Sequence, residues 1–247
     1  MSARLSVHNL TKRFGGIVAV DGVSFALEPG EIVGVVGPSG SGKSTLFDCI
    51  LGQLAPSAGE VRLDGRPVTG LPAREMSRLG LARAFQRVQV FPQLTVRDNL
   101  IAAGQERRGS LWSRLVGPPD AGLAATASEM LAFFRLDGRA EQTAGALSES
   151  QQKLLDIAMV FMARPRLVLL DEPATGLDQA VLEPLRERLR AINAQAGTTF
   201  VIIERNLDFV TSLATRLLVL AEGRVVALGD VDSVRASGAL NQTAEDR

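Results

Sequence analysis

A glycine-rich run from Gly37 to Thr45 has residues of the types and spacing that bind phosphate. It reads Gly-Pro-Ser-Gly-Ser-Gly-Lys-Ser-Thr and lies between an apolar run and a predicted helix. Glycines let successive backbone N–H groups turn toward an anion, and the N-terminus of the following helix adds its positive dipole. In such a loop the lysine reaches the β- and γ-phosphates and the serine hydroxyl binds Mg²⁺. The pattern predicts an ATP–Mg²⁺ site formed by Gly37, Pro38, Ser39, Gly40, Ser41, Gly42, Lys43, Ser44 and Thr45.

Two carboxylates, Asp171 and Glu172, directly follow the apolar run Leu167–Leu170. Because a parallel sheet collects its ligand sites at the carboxyl ends of its strands, Asp171 is expected to hold Mg²⁺, directly or through water. Glu172 is expected to act as general base on an attacking water. The alternative is a polar strand terminus, which is common in any α/β fold. The phosphate-binding pattern upstream favours the functional interpretation.

The elements that must position these residues alternate between strand and helix. The apolar runs at Glu31–Val36, Leu167–Leu170 and Thr199–Ile203 predict buried strands. Helices are predicted at about Lys43–Leu51, directly after the glycine-rich run, and at Val181–Ala194, between the last two strands. Such alternation indicates an α/β fold with a mainly parallel sheet that is covered on both faces.

Other segments indicate additional β and helical structure. Short strands are predicted at Ser6–Leu10 and Val18–Phe25, and the Asp64-Gly65 pair predicts a hairpin. Helical patterns follow Asp98. We therefore expect one domain over residues 1–247. It should comprise a core with an antiparallel β region (about 1–97 and 160–235), a helical subdomain (about 98–159) and a disordered tail (241–247).

Composition narrows the possible partners. The 27 basic and 27 acidic residues give a formal net charge of zero, which does not support broad binding to nucleic acid or to an anionic membrane. The single cysteine, Cys49, excludes an internal disulfide and favours a reducing compartment, with packing as its expected role. No apolar stretch approaches the roughly 20 residues that span a bilayer. Any work at a membrane is therefore expected from the cytosolic side, through partners.

The order of these motifs resembles the ATPase subunit of ATP-binding cassette (ABC) transporters, over almost the whole chain. The segment Leu81–Gln86 is similar to the one that ends in the family's Q-loop glutamine. Val90–Leu100 is especially similar to the branched-chain amino acid importers. Leu147–Gln151 stands at the position of the signature motif, and Gly176–Asp178 resembles the D-loop. The resemblance implies a P-loop NTPase fold of the ABC cassette type, with a mainly parallel core sheet, an antiparallel β subdomain and a helical subdomain.

The resemblance also implies roles for three further residues. Gln86 would ligate Mg²⁺ or orient water and move with a neighbouring subunit, although by itself it reads as a polar loop residue. Phe14 would stack on adenine, although an isolated aromatic is more often a core residue. Ser148 precedes the helical run Gln151–Met162 and would cap that helix while presenting its N-terminus to the ATP held by a partner subunit.

Two positions depart from the family pattern. Glu149 and Ser150 replace both glycines of the family signature Leu-Ser-Gly-Gly-Gln. The side chain of Ser150, at the second glycine position, is expected to crowd the partner's γ-phosphate. The carboxylate of Glu149 would repel that phosphate if it faced it. Arg205 stands where importers of this type have a histidine that contacts the γ-phosphate. An arginine cannot exchange a proton near neutral pH, but it can bind the phosphate as a fixed cation.

The departures suggest which partners the chain has. Arg205 belongs to the site built on this chain's own phosphate loop, whereas the altered signature belongs to the partner's site. A homodimer would carry both departures in each site, so a heterodimer with a second ABC ATPase subunit is favoured. The resemblance further implies transmembrane permease subunits, an indirect link to a periplasmic solute-binding protein, and a peripheral location on the cytoplasmic face of the inner (plasma) membrane.

The predicted function is ATP hydrolysis that drives solute import, of branched-chain amino acids or a related small polar solute. One alternative is a subunit that binds nucleotide but hydrolyses it weakly, as a structural or regulatory partner. Another is an ATPase of the same superfamily that works on DNA or ribosomes, which the neutral charge and the lack of coiled-coil or zinc insertions disfavour. The region after Gln86 should contact the permease. Trp112 and the Arg107-Arg108 pair are interpreted first as surface residues and second as part of that contact.

Overall fold

The computed structural model of the chain describes residues 4–84, 87–105 and 121–240, and all statements below refer to this part. Its strands are β1 (Leu5–Phe14), β2 (Ile17–Leu27), β3 (Ile32–Val36), β4 (Ala58–Leu63), β5 (Arg66–Pro67), β6 (Leu81–Ala84), β7 (Leu167–Asp171), β8 (Thr199–Ile203), β9 (Arg216–Ala221) and β10 (Arg224–Asp230). Its α-helices are α1 (Lys43–Ile50), α2 (Ala73–Arg78), α3 (Val96–Gln105), α4 (Ala121–Phe134), α5 (Glu149–Phe161), α6 (Gln179–Ala196), α7 (Leu207–Leu213) and α8 (Val231–Ala236).

The central sheet has the strand order β10-β9-β3-β8-β7-β6. Neighbouring strands from β9 to β6 run parallel, and only β10 is antiparallel to its neighbour. Every residue of β3, β7 and β8 is buried, which agrees with their apolar sequences because strands covered on both faces need no polar side. The segments that follow these three strands therefore meet at one edge of the sheet.

A second, antiparallel sheet has the order β2-β1-β4-β5. Its strands β1 and β2 form one long hairpin, so the predicted short strands at Ser6–Leu10 and Val18–Phe25 extend further at both ends. The predicted Asp64-Gly65 turn is confirmed, since it joins β4 to β5 with φ values of 49° and 77°. Two consecutive positive φ values match the twist of a tight hairpin.

The helices α3, α4 and α5 pack together, and their buried side chains belong to the same hydrophobic cluster as side chains of the central sheet. Leu100, Phe134 and Leu155, one from each helix, are all fully buried in this cluster. The ring of Phe134 lies 6.2 Å from that of Phe161, which in turn lies 6.1 Å from the ring of Phe200 on β8. Aromatic packing thus links the helical part of the chain to the sheet that carries the site.

Several short elements were not predicted. The helices α2, α7 and α8 have six or seven residues each, too few for a clear helical period. The strand β6 has four residues and depends on its parallel pairing with β7. Helix α5 begins at Glu149, two residues before the predicted start at Gln151.

The remaining expectations concern single residues and segments. Cys49 is buried and unpaired, and burial raises the pKa of its thiol, in agreement with a packing role. None of the described helices has the length and apolar character needed to cross a bilayer. Trp112, the Arg107-Arg108 pair and the tail 241–247 lie outside the described residues.

Candidate functional site

A cavity of about 250 Å³ lies at the carboxyl edge of the central sheet. It is lined by the loop Ser39–Thr45 together with Ala19, Glu172, Ile203 and Arg205. The structure therefore brings the predicted phosphate loop, the predicted general base and the arginine at the switch position into one concave site. These residues come from three distant parts of the sequence, and the parallel order β3-β8-β7 places them side by side.

The backbone of the phosphate loop requires glycine where it meets helix α1. Gly42 has φ of 97° and is the N-cap of that helix. A Cβ added to Gly42 would lie 2.2 Å from the carbonyl oxygen of Ala19, so no side chain fits there. The first turn of α1 carries no acidic residue, which leaves its positive end open to an anion.

Lys43 folds back across the loop. Its Nζ donates to the carbonyl oxygens of Gly37 and Pro38, at 2.7 Å each, and to Oγ of Ser41 at 3.2 Å. The side chain is buried although it carries a charge, and these acceptors compensate for its desolvation. Ser44 is exposed at the start of α1, where its hydroxyl can reach a ligand in the cavity.

Glu172 lies beside the cavity in a strained backbone conformation. Its φ is 48°, which is uncommon for a residue other than glycine and concentrates at functional sites. Its amide donates to the carbonyl oxygen of Ile203 at 2.9 Å, which ties this residue to the end of β8. The carboxylate accepts a hydrogen bond from Oγ1 of Thr175 at 3.2 Å and forms an ion pair with Arg205, whose Nε lies 2.9 Å from Oε1.

Arg205 is the more accessible member of this pair. Its side chain is 65% exposed, whereas that of Glu172 is 9% exposed. The guanidinium is therefore the member of the pair that solvent or a ligand can reach. It is a fixed positive charge within hydrogen-bonding distance of the predicted base.

Asp171, which was expected to hold Mg²⁺ directly or through water, pairs with an arginine in this structure. Among the described residues it is not part of the cavity lining, and it is buried. Its Oδ2 accepts a hydrogen bond from Nη2 of Arg83 at 2.6 Å. Nη1 of Arg83 donates to Oδ1 of Asp48 on α1, also at 2.6 Å, and to Oε1 of Gln53 at 3.0 Å. Arg83 thus joins the end of β7 to the helix that follows the phosphate loop.

The residues around the signature position form a second cluster on the same chain. Ser148 caps α5 as predicted, in a capping box with Gln151. Ser150 is buried, and its Oγ donates to Oδ2 of Asp178 at 3.2 Å, whereas Glu149 is exposed. The Ser150 hydroxyl, expected to crowd a partner's phosphate, is engaged by the D-loop of its own chain.

Phe14 and Ser148, like Gly37, Pro38 and Asp171, are predicted site residues that are not part of the cavity lining. Phe14 ends β1 and is 46% exposed, with Nζ of Lys12 5.0 Å from its ring centroid. Neither it nor Ser148 lines the cavity among the described residues. Gln86 lies outside the described part of the chain, so its predicted roles stay predictions.

Sequence reasoning missed Arg83 and three buried charged residues near the site: Lys153, Asp156 and Glu204. Burial lowers the pKa of Lys153. The negative charges of four nearby carboxylates act in the opposite direction and raise this pKa, namely those of Asp156, Asp171, Glu204 and Glu172. Burial raises the pKa of Asp156 to about 6 and also raises the pKa of Glu204. The one available signal was a charged residue within or beside an apolar run, as at Arg83 in β6 and Glu204 after β8.

No group of three or more histidine, cysteine, aspartate or glutamate side chains in the described segments is arranged to hold a metal ion by itself. Mg²⁺ bound with a nucleotide commonly takes one or two protein ligands and completes its shell with phosphate oxygens and water.

Comparisons with known proteins give the family. A family model described as "ABC transporter" matches residues 20–175. The chain is 33% identical to the high-affinity branched-chain amino acid transport ATP-binding protein BraF of Pseudomonas aeruginosa, over 94% of this chain and 93% of that protein. It is 34% identical to the corresponding protein LivG of Escherichia coli K12, again over 94% of this chain and 93% of that protein.

Solved structures agree with this assignment. An ATP-binding cassette of an ABC transporter in its ADP conformation superposes with a TM-score of 0.87 at 30% identity, covering 99% of this chain and 98% of that one. A nucleotide-free cassette superposes with a TM-score of 0.84 at 29% identity, covering 100% and 96%. The predicted ABC cassette fold is confirmed. Because the family model matches more than half of this chain, the chain belongs to the ABC transporter family as an ATP-binding subunit, which is an ATPase.

Proposed function

We propose that this chain hydrolyses Mg–ATP in the cavity beside Lys43 and that hydrolysis drives import of a branched-chain amino acid or a related small polar solute. The observation that carries the proposal is the convergence of Lys43, Glu172 and Arg205 on one cavity next to the start of α1. The names of the relatives, which describe branched-chain amino acid transport, support the substrate class.

The binding half of the site is the phosphate loop. Backbone N–H groups of Gly40–Thr45 and the dipole of α1 would surround the β-phosphate, and Lys43 would exchange its loop carbonyl contacts for phosphate oxygens. Ser44 and, through water, Asp171 would hold Mg²⁺, with Gln86 as a further ligand. When bound, Mg²⁺ neutralises charge between the phosphates. Asp171 suits a water-mediated role because Arg83 already occupies its Oδ2.

The hydrolytic half of the site is the Arg205–Glu172 pair. A γ-phosphate entering the cavity would offer the exposed guanidinium a second anion. As Arg205 turns toward the phosphate, the carboxylate of Glu172 becomes free to accept a proton from the attacking water. In this scheme Arg205 supplies the fixed charge at the γ-phosphate, and Glu172 alone handles the proton.

The remaining site residues extend this scheme. Phe14 would stack on adenine, and its exposed ring is available for that contact. Ser148 would act in the ATP site of a second ATPase subunit through the N-terminus of α5. We favour a heterodimer, because Arg205 and the altered signature at Glu149 and Ser150 fall in different composite sites. The hydrogen bond from Ser150 to Asp178 reduces the crowding expected from that serine.

Membrane partners and location follow from the same function. A transmembrane permease would dock on the region after Gln86, where Phe91 and Leu94 are 53% and 39% exposed. Such exposed apolar side chains suit a protein interface. The chain would act peripherally on the cytoplasmic face of the membrane, with a periplasmic solute-binding protein as an indirect partner and no nucleic acid. The helical subdomain proposed at about 98–159 begins directly after this region.

The test is transport by the assembled complex. The chain would be co-purified with its permease and second ATPase subunit and reconstituted in vesicles. Uptake of radiolabelled leucine would then be measured with and without ATP. We expect ATP-dependent uptake that Glu172→Gln abolishes. ATP hydrolysis without uptake of any branched-chain amino acid would contradict the substrate class. The comparisons do not support the weakly hydrolysing alternative, and single-turnover hydrolysis separates it from an active ATPase.

A further inference from the structure

Glu204 is a buried carboxylate that holds together two loops of the site. It directly follows β8 and is 2% exposed. Its Oε1 accepts a hydrogen bond from the backbone N–H of Ala174 at 2.6 Å. Its Oε2 accepts two more, from the N–H groups of Arg205 at 2.9 Å and Asn206 at 3.1 Å.

The two oxygens serve different parts of the chain. Ala174 lies two residues after Glu172, on the loop that carries the proposed base. Arg205 and Asn206 lie on the loop that carries the guanidinium. The side chains of Glu172 and Arg205 then meet 2.9 Å apart. Glu204 therefore connects the backbones beneath a pair whose side chains meet at the cavity.

A carboxylate at this place needs an explanation. A buried charge is costly unless it is hydrogen-bonded, and here the neighbouring charge of Glu172 adds repulsion. Three charge-assisted hydrogen bonds to backbone N–H groups offset this cost. A neutral amide could not replace them, because glutamine has a single acceptor oxygen and the two loops use different oxygens.

We propose that Glu204 is a positioning residue for ATP hydrolysis, which sets the position of Arg205 relative to Glu172 by fixing both loops. The inference rests on the proposed roles of Arg205 and Glu172, and no direct contact of Glu204 with ATP is involved. It predicts that Glu204→Gln releases one of the two loops while the phosphate loop, and therefore nucleotide binding, stays intact.

The test compares Glu204→Gln with Glu31→Gln in the complete chain assembled with its partner subunits. Glu31 is a matched control: its Oε2 also accepts a backbone N–H, from Glu28 at 2.9 Å, and its Oε1 pairs with Arg216. It precedes β3 and thus lies at the opposite end of the sheet from the cavity. We expect Glu204→Gln to lower the single-turnover hydrolysis rate by about ten- to a hundredfold, the scale of a misplaced catalytic group. The affinity of Glu204→Gln for a fluorescent ATP analogue with Mg²⁺ should change by less than about threefold. Glu31→Gln should leave both the hydrolysis rate and this affinity unchanged.

A double-mutant cycle separates positioning from general loss of stability. If Glu204 acts by positioning Arg205 against Glu172, then Glu204→Gln should have a much smaller effect in an Arg205→Ala background. A full, additive effect in that background would overturn the inference, as would a wild-type rate for Glu204→Gln.

Hydrogen exchange gives a readout that does not need hydrolysis. Glu204→Gln should speed amide exchange at Ala174 or at Arg205 and Asn206, with little change in α1. Unchanged protection at these amides would also overturn the inference. If Glu204→Gln does not fold, Glu204→Asp serves the same purpose, because the shorter side chain cannot reach both loops. Failure of the wild-type complex to hydrolyse ATP, with exchange changed as expected, would contradict the proposed function and leave the role of Glu204 in the loops supported.

Discussion

Nε of Arg205 lies 2.9 Å from Oε1 of Glu172, so the positive charge at the switch position holds the carboxylate proposed as general base. The arginine is largely exposed and the glutamate largely buried. A ligand can therefore reach the guanidinium without disturbing the backbone that holds the glutamate. This relationship links the main departure from the family pattern to the residue proposed to accept the proton.

Arg205→Ala is expected to slow hydrolysis by tenfold or more, because the γ-phosphate loses a charge-assisted partner. The hydrolysis rate of Arg205→Lys should lie between those of wild type and Arg205→Ala, since lysine offers a single point charge in place of a planar fork. Single-turnover hydrolysis with the partner subunits present is the measurement. A rate for Arg205→Ala equal to that of wild type would show that Arg205 contributes nothing to the reaction. A rate above that of wild type would show that the ion pair inhibits Glu172.

Glu172→Gln is expected to reduce single-turnover hydrolysis by about a hundredfold or more, the usual contribution of a general base. The amide keeps the size of the side chain but cannot accept the proton. Binding of Mg–ATP should persist, because Lys43 and the loop are unchanged. Residual hydrolysis at the wild-type rate would remove Glu172 from the mechanism.

Arg83→Met is expected to destabilise the fold by about 3 kcal/mol, because it leaves the buried Asp171 without its cation. The side chains of Arg83 and Asp171 are 10% and 7% exposed. Urea unfolding is the measurement, and Arg166→Met is the control. Arg166 pairs with Asp64 at the surface, with 67% and 37% exposure, so its removal should lower the free energy of unfolding by less than about 1 kcal/mol. Equal effects of the two variants would contradict a special role for Arg83.

The Arg83→Met variant should also need more Mg²⁺ to bind nucleotide. Without Arg83, Oδ2 of Asp171 loses the hydrogen bond that connects it to Asp48 on α1. Titration of a fluorescent ATP analogue against Mg²⁺ would show a higher half-saturating Mg²⁺ concentration than wild type. Binding measured in chelator should be similar in both proteins, and an unchanged Mg²⁺ requirement would contradict this role.

Asp156 predicts a pH dependence of stability. Burial raises its pKa from 3.8 to about 6, so the folded state holds the proton more tightly than the unfolded state between these values. As the pH falls from 7 to 5, wild type should gain about 1 kcal/mol of stability relative to Asp156→Asn, which cannot titrate. The opposite trend, with wild type losing stability relative to the variant, would show that the charged form of Asp156 is the favoured one in the fold. Unfolding in urea at both pH values measures the difference.

Local patterns in the sequence were enough for the parts of the site that are contiguous. Gly37–Thr45 contains its own chemistry, since the glycines, the lysine and the helix that follows are adjacent in the chain. The capping role of Ser148 depends on Gln151, three residues away, and was predicted correctly. The buried strands β3, β7 and β8 were also predicted, because an apolar run between turn residues is a local signal.

Contacts between distant residues depended on the tertiary structure. Arg83 meets Asp171 across 88 positions because β6 and β7 are neighbours, and the sequence of a four-residue strand does not specify its neighbour. Ser150 donates to Asp178, 28 positions away, because the start of α5 lies beside the segment that resembles the D-loop.

By itself, then, the sequence determined the kind of ligand and the family, because short contiguous motifs carry both. The tertiary structure decided which charged side chains pair, Arg205 with Glu172 and Arg83 with Asp171. It also decided that Glu204 accepts hydrogen bonds from the backbones of two loops. The physical reason is that a parallel sheet brings strand ends together in its spatial order, which differs from the order of strands along the chain.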